Sequence, residues 1–72
     1  MSEKISDGAI KVIEIIGVSS KSFEDAIHKG VSKASESIKG ITGVEVLKQS
    51  AKVKDGKPKQ YNAHLKVAFV VK

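Results

Sequence analysis

Residues 60–71, QYNAHLKVAFVV, form the most regular pattern in this 72-residue chain. Polar and apolar side chains alternate from Gln60 to Val67, and that period of two predicts a β-strand. The segment is about twice as long as the usual strand of 5–6 residues. Because a long strand pairs its backbone groups best with a neighbour on each side, we expect it in the middle of a sheet.

Two further strands are predicted upstream of this segment. Residues 44–53 follow a strand pattern and lead into Asp55-Gly56, a dipeptide typical of a tight hairpin turn. Residues 9–16 are rich in β-branched side chains, and we expect Gly17 to end that strand.

The segment between these two strands has the pattern of an amphipathic helix, residues 22–39. Ser22 is suited to cap its amino end, and Gly40 is suited to end it in a left-handed conformation. Gly30 falls on the apolar stripe, where a missing side chain lets a strand approach closely. The stripe recurs at three- and four-residue spacing and consists of Phe23, Ala26, Ile27, Gly30, Val31, Ala34 and Ile38.

The order strand–helix–strand–strand predicts an α+β fold with two layers. A right-handed crossover through the helix leaves the first two strands parallel and lets the last strand fit between them. The result is a three-stranded antiparallel sheet of order 1-3-2, wrapped on one helix. We expect residues 1–8 to form a disordered tail and residues 9–72 to form the single domain. Since one sheet face and both edges stay uncovered, we expect the subunit to self-associate.

The composition excludes several classes of function. The chain has no cysteine, which rules out disulfides and thiolate zinc sites. Its net charge is +5, and all 13 basic residues are lysine. Because arginine is the residue suited to bidentate phosphate and base recognition, we expect a solvated surface and no nucleic-acid partner. Since no apolar run is long enough to span a bilayer and the start lacks a secretory pattern, we expect no membrane partner and a cytoplasmic protein.

Enzymatic activity is not expected. No nucleophile–base pair, carboxylate dyad or phosphate-binding glycine loop is recognisable, so no catalytic residue is assigned. His64, alone on its strand, is expected to pack or to form hydrogen bonds rather than to bind a metal. Residues 40–43, GITG, match the G-x-x-G loop of KH-type RNA-binding domains, but a strand-like segment follows them instead of a helix. A basic RNA-binding module therefore stays only as a remote alternative.

The chain resembles the dodecins from about residue 10 to residue 71. The resemblance rests on the glycine, serine-rich turn and aromatic helix start of residues 17–23, on the amphipathic helix, and on the strands around Glu45 and Tyr61. It implies a hollow homododecamer in which strands of neighbouring subunits continue each other's sheets. It also implies a flavoprotein that stores flavin of the riboflavin or FMN class between subunits.

The resemblance also implies where the flavin would bind. In flavin-binding dodecins an aromatic residue at the start of the second strand stacks on the ring, and a glutamine on the last strand bonds the ring edge. These positions fall on Gly43 and Asn62, and Gln49 on the adjacent strand is expected to join them. Because Gly43 cannot stack and Asn62 is shorter than glutamine, we expect weakened flavin affinity. The alternative is a flavin-free assembly that binds ions such as calcium, through metal ligands that cannot be assigned, as has been connected with dodecin-like proteins lacking the aromatic.

Overall fold

The structure, a computed structural model, describes residues 7–71. Its elements are β1 (Ala9–Ser19), α1 (Phe23–Ser35), β2 (Ile41–Lys54) and β3 (Lys57–Val71). β3 lies between the other two strands and is antiparallel to both, so the order is β1-β3-β2. The predicted α+β fold, a three-stranded antiparallel sheet of order 1-3-2 with one helix, is confirmed. The predicted tail, residues 1–8, lies outside the described residues except for Asp7 and Gly8.

Every strand is longer than the sequence pattern predicts. Gly17 does not end β1 but pairs with Ala63 inside the sheet, and the strand continues to Ser19. Gly17 is needed there because α1 crosses so closely that a Cβ atom would lie 2.0 Å from the carbonyl oxygen of Ala26. The glycine that reads as a strand breaker is therefore the contact point of strand and helix.

The helix is shorter than predicted, because α1 ends at Ser35 rather than near residue 39. The chain tightens after that point: the N–H groups of Ser37 and Ile38 both donate to the carbonyl oxygen of Ala34, at 3.2 and 2.9 Å. Gly40 then adopts a left-handed φ of +78°, as predicted, and turns the chain into β2.

The core lies between α1 and one face of the sheet. Its fully buried side chains are Ala26 on α1 and Ala63, Leu65 and Val67 on β3. The rings of Phe23 and Tyr61 meet edge to face, with centroids 5.0 Å apart, at one end of this layer. Burial alternates along β3 because successive side chains point to opposite faces, and only one face meets the helix.

The hairpin of β2 and β3 extends beyond β1. β1 pairs with β3 only as far as Tyr61, so residues 52–59, here called the arm, form a two-stranded ribbon with its turn. Asp55 and Gly56 at its tip have left-handed φ values of 54° and 77°, which fits the predicted hairpin turn. The arm helps to give the subunit an elongated shape of 51 × 19 × 18 Å. No helix among the described residues has the length and apolarity needed to cross a membrane.

Candidate functional site

The sheet face opposite α1, here called the open face, carries the residues that the sequence analysis connects with ligand binding. Large apolar side chains lie exposed on it along β1, with exposed fractions of 54% for Ile10, 47% for Val12, 54% for Ile16 and 47% for Val18. Uncovered apolar surface of this kind is typical of an interaction site. A single subunit therefore leaves the apolar surface of this face exposed to solvent.

The strand register arranges the open face in cross-strand rows. Neighbours within a row have Cβ atoms about 4.5–5.5 Å apart. The rows, each read β1–β3–β2, are Val12–Ala68–Gly43, Glu14–Lys66–Glu45, Ile16–His64–Lys48 and Val18–Asn62–Ser50. One end of the face is thus apolar, and the middle row places a lysine between two carboxylates. At the far end β3 and β2 carry polar side chains, while β1 stays apolar.

Gly43 lies at the apolar end of the open face, opposite Ala68. A Cβ atom at Gly43 would have the Ala68 Cβ as its nearest neighbour, at 4.0 Å, which is ordinary van der Waals contact. Its φ is not among the left-handed values that favour glycine. The subunit fold would accept a larger side chain at Gly43, so the missing aromatic is not a requirement of the backbone.

Asn62 lies at the polar end of the same face, half-buried, and its Oδ1 accepts a hydrogen bond of 2.9 Å from Nε2 of Gln60. Asn62 is six positions along β3 from Ala68, the partner of Gly43, which corresponds to roughly 20 Å along a strand. One subunit therefore does not bring Gly43 and Asn62 together. A flat ligand that touched both positions would have to take them from different subunits.

Gln49 lies on the other side of the sheet from Asn62. It pairs with Ala63, whose side chain is buried under α1, whereas Asn62 pairs with Ser50. The reason is a β-bulge at Leu47, which adds one residue to β2 and reverses the alternation beyond it. The predicted contact of Gln49 with a ligand stays a prediction, but within one subunit Gln49 and Asn62 do not face the same space.

Gln60 is a hydrogen-bonded neighbour of Asn62 that the sequence pattern does not assign to the site. Its side chain holds the Asn62 amide, and both residues are half-buried. The spacing of Gln60 and Asn62 already indicates that they share a face, because residues two apart on a strand point to the same side. The spacing alone does not indicate a ligand site, because two polar residues at the start of a strand fit a solvent-exposed face equally well.

The turn from β1 to α1 contains the clearest electrostatic effect in the structure. The Ser19 hydroxyl donates to the Asp25 carboxylate at 2.6 Å and accepts from the Lys21 N–H at 2.9 Å. The hydrogen bond from Ser19 lowers the pKa of Asp25 below its usual value of 3.8; burial opposes this shift, and nearby charges, first of them Lys29, support it. These contacts fix the turn and lie apart from the open face.

Two further observations limit the site within one subunit. Among residues 7–71, no three His, Cys, Asp or Glu side chains form a group that could hold a metal ion. A groove of about 420 Å³ runs between α1 and β1, with Gly17 and Gly30 in its lining and Lys29 and Lys33 beside them. It contains none of the predicted site residues.

Comparison with known proteins gives one family and several similar structures. The sequence model of the family Dodecin matches residues 9–72. A dodecin from Streptomyces davaonensis is 25% identical, with a TM-score of 0.89, and the match covers 93% of this chain and 98% of that one. A dodecin from Streptomyces coelicolor, 24% identical, has a TM-score of 0.92 over 94% and 97% of the two chains and supports the fold alone.

A third similar structure is that of a calcium-binding protein. It is described as a calcium-chelating immunodominant antigen, calcium dodecin, from Mycobacterium tuberculosis, with a novel calcium-binding site. It is 32% identical to this chain, with a TM-score of 0.79 and coverage of 90% and 93%. No curated protein is significantly similar to the chain.

Proposed function

The chain belongs to the dodecin family, and on that premise we propose that it forms a hollow homododecamer that binds and stores a flat ligand of the riboflavin or FMN class. Its affinity for flavin is weaker than that of dodecins with a stacking aromatic, because Gly43 stands at that position. The protein holds the ligand between subunits and does not transform it.

The observation that carries the assembly is the open face. Four large apolar β1 side chains lie about half exposed there, while among residues 7–71 only four hydrophobic residues are fully buried. A chain of 72 residues buries a smaller share of its surface on folding than a larger domain does, and covering apolar area contributes roughly 25 cal/mol per Å². Association through this face would supply the burial that the subunit lacks.

The placement of the polar and apolar ends supports ligand binding between subunits. Because the Asn62 Oδ1 is occupied by Gln60, its amide N–H groups are available to bond the edge of a ring. Gly43 leaves a bare position beside Ala68, in the apolar row that Val12 completes, where a ring face could lie without a stacking partner. Gly43, Asn62 and, from the other face, Gln49 remain the proposed ligand contacts.

A fluorescence titration tests the flavin proposal. Riboflavin and FMN are titrated separately with wild-type protein up to about 50 µM, which detects dissociation constants in the micromolar range. We expect partial quenching by the wild type and binding at least about twofold tighter by Gly43→Trp, since each stacked aromatic adds about 0.5–1.5 kcal/mol, roughly two- to tenfold in affinity, beyond its buried area. Ser32→Trp, on the exposed side of α1, introduces the same chromophore away from the site and should leave affinity unchanged. Unquenched emission with both wild type and Gly43→Trp would reject flavin as the ligand.

Calcium is the second candidate, favoured by the 32% identity to calcium dodecin. Calcium takes six to eight oxygen ligands, whereas the middle row of one subunit offers the carboxylates of Glu14 and Glu45. A calcium site would therefore draw on several subunits. Calorimetric titration of the assembled protein with calcium chloride, with magnesium chloride as the control, tests this; Glu45→Gln should weaken calcium binding at least about tenfold if Glu45 is a ligand. Calcium binding without flavin binding would replace the first proposal with the second.

A further inference from the structure

The positive charge of the chain is concentrated in the β2–β3 hairpin. Residues 1–47 contain six lysines and seven acidic residues, a net charge of −1, whereas residues 48–72 contain seven lysines and one aspartate, a net charge of +6. The arm alone, residues 52–59, has four lysines and one aspartate, a net charge of +3. Charge asymmetry of this kind is typical of a surface that meets an acidic partner.

The arm presents its lysines on an exposed ribbon. Lys52 and Lys54 are two residues apart on β2 and share a face, and Lys57 pairs directly opposite Lys54. Lys59 is the extra residue at the register shift between the pairs Lys52–Gln60 and Val53–Pro58, and every residue of the arm is exposed. The ammonium groups therefore extend along a ribbon that neither β1 nor the core covers.

No side chain in the described part of the chain neutralises these lysines. The contacts within 4.0 Å between acidic and basic side chains among residues 7–71 all lie on or beside α1, at Glu24–His28, Asp25–Lys29 and Lys33–Glu36. Like charges directly opposite each other on paired strands destabilise the pairing, as do Lys54 and Lys57 here. The arm thus keeps an unfavourable repulsion between like charges, which binding of an external anion would reduce.

We propose that the arm binds the phosphate backbone of double-stranded nucleic acid without sequence preference. A two-stranded β-ribbon fits the major groove of a DNA duplex. Lysine neutralises phosphates as a point charge, whereas direct reading of guanine most often uses arginine, which this chain lacks. An anionic lipid surface is the weaker fit, because the arm has no aromatic or leucine side chain to insert beside its charges. This inference departs from the expectation of no nucleic-acid partner, which rested on composition and not on where the lysines lie.

Fluorescence anisotropy with a labelled, mixed-sequence DNA duplex of about 30 base pairs tests the proposal on the assembled protein. We expect the wild type to bind with a dissociation constant of about 1–100 µM at physiological salt, the range of non-specific binding. The variant Lys52→Gln/Lys54→Gln/Lys57→Gln/Lys59→Gln should bind at least about tenfold more weakly at low salt. Its slope of log affinity against log salt should be shallower by about 3–4, since each phosphate contact contributes about 0.9.

The matched control removes the same number of charges from elsewhere. Lys21→Gln/Lys29→Gln/Lys33→Gln/Lys39→Gln neutralises four exposed lysines at and around α1 and should bind within about twofold of the wild type. Equal losses in both variants would overturn the proposal, because overall charge would then explain binding. Binding of the wild type to vesicles with anionic lipid but not to the duplex would also overturn it. A third outcome that would overturn the proposal is that the wild type does not bind the duplex even at low salt. The lysines would then serve to keep exposed strand edges from pairing with other chains.

Discussion

Gly17 and Gly43 are both strand glycines, but their surroundings are opposite. A Cβ atom at Gly17 would lie 2.0 Å from the Ala26 carbonyl oxygen, a backbone atom that cannot swing aside. A Cβ atom at Gly43 would meet nothing closer than 4.0 Å. Gly17 lets α1 pack closely on the sheet, whereas Gly43 leaves unoccupied space on the open face.

We predict that Gly17→Ala destabilises the protein by about 2–3 kcal/mol or more, because α1 must move away from β1 to accommodate the methyl group. Gly43→Ala is the matched control, with an expected change within about 0.5 kcal/mol, as for most surface substitutions. Urea denaturation followed by circular dichroism, at one fixed protein concentration, measures both. Equal stability of the two variants would contradict the close contact of Gly17 with the helix.

The Ser19–Asp25 hydrogen bond predicts a dependence of stability on pH. Because the fold lowers the pKa of Asp25 below 3.8, its stabilising contribution is complete above that value and is lost as the pH falls through the lower, folded-state pKa. Ser19→Ala removes the largest cause of the shift. The difference in unfolding free energy between the wild type and Ser19→Ala should therefore be larger at about pH 7 than at about pH 2.

Denaturation at the two pH values and an NMR titration of the Asp25 carboxyl group check this prediction. The pKa of Asp25 should be higher in Ser19→Ala than in the wild type. Ser20→Ala, in the same turn but exposed, is the control and should leave that pKa unchanged. An unchanged Asp25 pKa in Ser19→Ala would show that the hydroxyl does not stabilise the carboxylate.

Among the elements, α1 depends on its amino-terminal cap. Ser22 has an extended backbone, with φ −166° and ψ 166°, and its hydroxyl accepts from the Asp25 N–H at 3.0 Å. Ser22→Ala should destabilise the protein by about 1 kcal/mol, because a helix N–H loses its partner. Ser32→Ala, the same change inside the helix, should be neutral or slightly stabilising. Thermal unfolding monitored by circular dichroism separates the two, and equal melting temperatures would argue against the cap.

For the whole molecule, the open face predicts that assembly and subunit folding can be separated. Ile16 is 54% exposed in the subunit, so Ile16→Asp should cost an isolated subunit little while placing a charge in the proposed interface. Native mass spectrometry should give about twelve times 7.7 kDa, about 92 kDa, for the wild type and smaller species for Ile16→Asp.

Ser32→Asp, which adds the same charge to the exposed side of α1, is the control and should keep the wild-type mass. A wild-type mass near 7.7 kDa would reject the proposed dodecamer. An unchanged mass for Ile16→Asp would mean that the open face is not where subunits meet.

The sequence by itself determined the elements, their order and the family resemblance. The alternation in residues 60–71, the helical stripe from Phe23 and the Asp55-Gly56 turn are local patterns, set by which side chains a strand, helix or turn requires. The element order then left few ways to arrange three strands and one helix. For the site, the sequence supplied Gly43 and Asn62 by resemblance alone.

Only the tertiary structure decided how these residues relate in space. The bulge at Leu47 turned Gln49 to the other face, and the register set roughly 20 Å between Gly43 and Asn62. Likewise, Gly17 became the point where α1 packs on the sheet instead of the end of β1. Each of these depends on which residues of separate elements come together, and such pairing leaves no periodic trace in the sequence.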